Sequence, residues 1–159
     1  MKIIVFADSH TDVPTMLAVV KLEQPDVILH LGDHIADGIE LQKNTDIRIC
    51  LVKGNTDQES SGSVEELFTF ENTRVYMTHG HVYKVQDGLE ELCEAGARNN
   101  ADIVLFGHTH RPFLSYINGI WVMNPGQIGR KLGENTPATY GTILLTGNRM
   151  KCGISEVDI

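Results

Sequence analysis

The chain has 159 residues, with 13 Lys and Arg against 21 Asp and Glu and a formal charge of −8. A 42% hydrophobic and 21% charged composition fits one globular domain over residues 1–159 and excludes a disordered or fibrous chain. The acidic balance argues against a surface that gathers long nucleic acid non-specifically.

In chain order, residues 3–7 form a short β-branched apolar run, which predicts a buried parallel strand. Pro14 opens a helix over 14–22, with Asp12 as its N-cap. A second strand covers 27–31 and a short helix 35–43. A third strand covers 47–52, followed by a polar loop over 55–63. Runs 64–70 and 73–77 predict a hairpin, and 87–99 has helical periodicity. A strand at 103–106 precedes a hairpin of 113–117 and 120–123 around Asn118-Gly119. A last hairpin joins 139–145 to 150–157. This order predicts an α/β fold of mixed sheets with helices outside.

The three cysteines (Cys50, Cys93, Cys152) are odd in number, widely spaced and lack a CxxC pair, the pattern of a reducing compartment. The first eight residues are too short an apolar run for a signal-peptide core. No later run nears the length of about 18 residues needed to span a membrane. The expectation is a cytoplasmic protein without a membrane partner.

The informative pattern stands directly after the apolar strands: Asp8-Ser9-His10, Gly32-Asp33-His34, Gly54-Asn55-Thr56-Asp57, Thr78-His79-Gly80-His81 and Gly107-His108-Thr109-His110. Ligands of layered α/β proteins lie outside the carboxyl ends of strands. Carboxylate, imidazole and amide donors together suit borderline divalent cations. Asp8 with His10, and His108 with His110, stand two residues apart, so extended backbone would project each pair to one side. One by one these signals are weak, since Gly-Asp after a strand is usually a turn. Their order within one short chain carries the weight. His30 reads as a packed, hydrogen-bonded side chain.

The ordered motifs Asp-x-His, Gly-Asp, Gly-Asn-x-Asp, His-Gly-His and Gly-His-Thr-His resemble the calcineurin-like metallophosphoesterase superfamily. The short length resembles its small branch of YfcE-type phosphodiesterases, related in fold to the retromer subunit of the VPS29 type. The resemblance runs from Met1 to about Gly126. It implies two packed mixed β-sheets flanked by helices in four layers. It also implies two divalent ions, Mn foremost, with Ni, Fe, Zn and Mg compatible.

By the same resemblance, Asp8, His10 and His110 would hold one ion, Asn55, His79 and His108 the other, and Asp33 would bridge both. A hydroxide shared by the two ions would attack phosphorus in line. Asp33, Asn55 and His79 would then serve catalysis, with Asp57 orienting His79 or another imidazole and His81 assisting. Asn55, Thr56 and Arg111 would meet the substrate, a small phosphoester. Arg130 and Lys131 are further cations in reach, although solvation is the default for each.

Two departures stand out. Thr56 occupies a position where many members carry His or Cys, and a hydroxyl is a poor general acid. His34 and His81 are the nearby substitutes. Gln127 follows Asn124-Pro125-Gly126 where Ser is common, and would alter the pocket edge. The sequence therefore points to a metal-dependent phosphoesterase, foremost a phosphodiesterase. The alternative is a VPS29-like binding scaffold with a vestigial metal site. Exposed hairpin edges leave a homo-oligomer open.

Overall fold

The computed structural model describes residues 1–57, 61–129 and 136–158. One sheet has the order β10-β9-β1-β2-β3. It comprises β1 (Lys2–Phe6), β2 (Val27–His30), β3 (Arg48–Leu51), β9 (Thr139–Thr146) and β10 (Arg149–Glu156). Strands β1, β2 and β3 run parallel, and β9 returns antiparallel beside β1. The second sheet has the order β4-β5-β6-β8-β7. It comprises β4 (Glu65–Phe70), β5 (Thr73–Thr78), β6 (Ile103–Leu105), β7 (Phe113–Ile117) and β8 (Ile120–Asn124). Strands β5, β6 and β8 are parallel, with β4 and β7 antiparallel at the edges.

Alternation along β1 explains the layering. Ile3 and Val5 point between the sheets, where they meet Leu29, Val75, Met77, Ile103, Leu105 and Ile143. Ile4 and Phe6 point outward into a separate cluster with Met16, Val19, Val20 and Leu41. These last four belong to α1 (Val13–Glu23) and α2 (Ile35–Lys43). On the far side, α3 (Glu90–Arg98) packs Leu92 and Ala95 against Tyr76, Val104 and Val122. Helices, sheet, sheet and helix make four layers, as expected. Burial on both faces is why the parallel strands read as unbroken apolar runs.

Local signals held where they rested on specific chemistry. Asp12 caps α1 by accepting from the Thr15 N–H at 3.1 Å. Residues 87–89 were expected in α3, yet the helix begins at Glu90. Before it, the chain makes a 3₁₀ turn at His81–Tyr83 and a left-handed Lys84 (φ 48°), which uncouple this segment from the helix. Among the described residues, no helix is long and apolar enough to cross a membrane.

Candidate metal centre

The parallel strands of both sheets deliver their carboxyl ends to one place. The Asp8 N–H donates to the Gly32 carbonyl at 3.2 Å, and the Gly107 N–H to the His79 carbonyl at 3.0 Å. These bonds join the strand ends within each sheet. Across the sheets, His79 Nε2 lies 3.3 Å from Asp33 Oδ1, and His110 Nε2 lies 3.4 Å from Asp8 Oδ1.

Six of the seven expected ligands converge directly. Donor atoms of Asp8, His10 and His110 lie within 4.8 Å of one another, and so do those of Asp8, Asp33 and His79. His108 Nδ1 is 3.3 Å from His79 Nε2. Asn55 enters through its neighbour, because the Thr56 N–H and hydroxyl both donate to Asp33 Oδ1, at 3.2 and 2.9 Å.

The donor set fits cations. Asp8 is fully buried, yet neither of its carboxylate oxygens accepts a hydrogen bond, and Asn55 Oδ1 is likewise buried without one. Buried acceptors in that state cost free energy unless a positive charge meets them. Oxygen and imidazole donors with no thiolate suit borderline divalent ions.

The electrostatics divide the groups. Burial pushes the Asp33 carboxyl up, but His79 and the two bonds from Thr56 outweigh it and hold the group below its ordinary range. Burial first, then the imidazole of His79, lowers His108, against the pull of Asp33 and Asp8. Burial and the neighbouring His79 and His108 lower His81. These imidazoles are therefore neutral near pH 7, the form that ligates metal.

Several expectations need correction. Asp8, His10, His108 and His110 are not in extended backbone. Their φ values are 54°, 44°, 68° and 59°, so these side chains converge through left-handed turns rather than strand alternation. Asp57 does not orient His79. Its two oxygens accept from the Ile35 N–H and the Gly54 N–H, both at 2.9 Å, so it caps α2 and ties that helix to the turn after β3. The group on His79 Nδ1 is the Leu31 carbonyl, at 2.8 Å. Gln127 is buried, and the residues after it bond the backbone beside Asp8. Thr56 points at Asp33, so its hydroxyl hydrogen is committed there.

Other residues named from the sequence lie nearby. The His81 ring lies 5.6 Å from that of His79, and the His34 ring 5.2 Å from that of His10. Arg111 lines a cleft of about 390 Å³ with His108, Thr109, Val85 and Gln86. Asn124 donates to the Gly107 carbonyl (2.8 Å) and to Thr109 Oγ1 (3.0 Å), which steadies the turn that carries His108 and His110. Arg130 and Lys131 lie outside the described residues.

Two glycines let the turns approach. A Cβ on Gly32, which has φ 89°, would lie 2.5 Å from the Gly54 nitrogen, and one on Gly54 would lie 2.2 Å from Asp33 Oδ1. The first obstacle is backbone, and the second is a carboxylate oxygen that Thr56 holds in place. Gly32→Ala should cost at least about 2 kcal/mol, since a positive φ and a backbone clash add. Urea unfolding checks this, and an unchanged midpoint would refute the packing argument.

Comparison with known proteins agrees with this geometry. Residues 1–148 match the family model described as the calcineurin-like phosphoesterase superfamily domain. A probable metallophosphoesterase of Mycoplasma pneumoniae is 28% identical over 152 residues, covering 94% of this chain and 92% of the relative. The phosphodiesterase YfcE of Escherichia coli is 31% identical over 104 residues, covering 60% of this chain and 52% of the relative. The structure of Vps29 complexed with Zn2+ from Entamoeba histolytica superposes with a TM-score of 0.78 at 18% identity, covering 99% of this chain and 100% of that one. At that identity the likeness shows the fold alone.

Proposed function

Because the chain belongs to the calcineurin-like phosphoesterase superfamily, and so to the metal-dependent phosphoester hydrolases, we propose that it is a phosphodiesterase that works with two divalent cations. The observation that carries this reading is the pair of overlapping donor groups, Asp8 with His10 and His110, and Asp8 with Asp33 and His79. The ligands assigned are Asp8, His10 and His110 for one ion, Asn55, His79 and His108 for the other, and Asp33 between them. Divalent ions there would neutralise the phosphoryl oxygens and lower the pKa of a water that serves as nucleophile. Manganese is the cation we favour. The likeness to Vps29 does not displace this reading, since a scaffold has no need to gather six such donors in one place.

The chain's own residues then shape the reaction. Thr56 fixes Asp33 through two hydrogen bonds to one oxygen and leaves no hydroxyl proton for a departing alkoxide. His81, whose pKa burial lowers, is a neutral donor near pH 7 rather than a strong acid. The site therefore suits esters with acidic leaving groups. The cleft beside His108 gives a second ester substituent room, and Arg111 supplies its cation. A diester, with one negative charge, fits this better than a dianionic monoester.

The test is hydrolysis of bis(p-nitrophenyl) phosphate and p-nitrophenyl phosphate with Mn2+, before and after chelation. The diester should be the faster substrate, and chelation should stop turnover until Mn2+ returns. Chelator-resistant turnover would overturn the metal mechanism. Absence of any turnover, with tight binding to a protein partner, would favour the scaffold.

A further inference from the structure

Behind the metal ligands lies a buried polar chain that ligates nothing. The turn after β1 carries Asp8, His10 and Thr11 at φ 54°, 44° and 71°, a conformation that costs any residue with a Cβ. Something outside the turn must hold it. Asp37, in the first turn of α2 and 7% exposed, is placed to do so. Its Oδ2 accepts the Ser9 hydroxyl at 2.7 Å and the Thr11 N–H at 2.7 Å. The two bonds fall on either side of His10.

The chain continues inward. His30 Nε2 lies 3.1 Å from Ser9 Oγ, and His30 Nδ1 accepts the Gly32 N–H at 3.3 Å. Directions follow from the donor inventory. Nδ1 accepts, so Nε2 carries the hydrogen and donates to Ser9, whose own hydrogen goes to Asp37. Asp8 and Ser9 are adjacent, and Gly32 precedes Asp33. The chain thus connects the turn that bears Asp8 and His10 to the turn that bears Asp33.

We propose that Asp37, Ser9 and His30 are positioning residues that hold the Asp8–His10 turn in its ligating shape before a cation arrives. This rests on the metal-dependent reading above. Free backbone would otherwise have to be ordered as the ion binds, and the affinity would fall accordingly. The effect should be larger for the ion assigned to Asp8 and His10, because Asn55, His79 and His108 come from other turns and only Asp33 is shared.

The test is Mn2+ titration of chelator-stripped protein, with free Mn2+ read by electron paramagnetic resonance. Ser9→Ala and Asp37→Ala should weaken one Mn2+ site about 10- to 100-fold, with the other changed less than about threefold. Asp37→Asn keeps an acceptor oxygen in the same place and should restore most of the affinity. A merely structural role would lower thermal stability without a change in Mn2+ affinity, and that result overturns the inference. So does an Asp37→Asn variant as weak as Asp37→Ala. If Asp37→Ala does not fold, Ser9→Ala removes only a hydroxyl and decides alone. A wild type that takes up no Mn2+ would instead overturn the functional reading itself.

Discussion

Asp8→Asn should lower diester hydrolysis at least about a hundredfold, or ~2.7 kcal/mol in the barrier, and in the same protein raise the stability of the metal-free form. The two effects share one cause. The Asp8 carboxylate is fully buried and accepts no hydrogen bond. Without a cation, the fold carries a negative charge that solvent cannot reach. Removing the charge should therefore recover about 1–3 kcal/mol. Thermal unfolding in chelator and in Mn2+ checks it. The wild type should gain from Mn2+ and the variant should gain little. A variant less stable than wild type in chelator would refute the account of Asp8 as a carboxylate waiting for charge. Asp33→Asn should also lose activity without the same gain, because Asp33 already accepts two hydrogen bonds from Thr56.

Acidification should cost the metal-free fold about 3 kcal/mol through His30 alone as pH falls from 6.5 to 4. Burial takes this imidazole down to about 4, against the carboxylates of Asp37, Asp8 and Asp57, which pull it up, while His79 pushes the same way as burial. The folded state therefore keeps His30 neutral over a range in which the unfolded chain takes up a proton. Protons then favour unfolding, so stability is whole above pH 6.5 and is lost on the way down. The loss levels off below about 4, where both states are protonated. Urea unfolding of wild type and His30→Gln between pH 7 and 4.5 isolates this from the other histidines. The variant starts lower at pH 7 and should fall less steeply, so the two curves converge. Parallel curves would place the acid sensitivity elsewhere.

Much of this site was legible in the sequence for a reason that can be stated. Strands buried on both faces are short, unbroken apolar runs, so a polar residue directly after one marks a strand end. Asp8, Asp33, Asn55, His79 and His108 were found that way, and the order of the motifs supplied the family. What was not legible depended on contacts through space. Ser9, His30 and Asp37 are 21 and 7 residues apart along the chain, and no local pattern joins them. The Leu31 carbonyl that faces His79 leaves no trace in a sequence, because every residue has one. Asp57 was misread because Gly-Asn-x-Asp places it beside the ligands in sequence while its oxygens turn to the backbone of Ile35 and Gly54. The left-handed turns were missed because Asp and His do not announce such backbone as glycine does.

The position of β9 sets an order of events during synthesis. Strand β1 is central in its sheet, with β2 on one side and β9 on the other. Ile3 pairs with Val27 and with Ile143. A ribosome releases the first neighbour early and the second only about a hundred residues later. Until then Lys2–Phe6 offers a bare apolar edge, even though every residue assigned to the cations has already emerged. Such an edge invites wrong pairing with other chains. The nascent protein thus holds its whole set of cation donors well before it can complete the sheet that supports half of them.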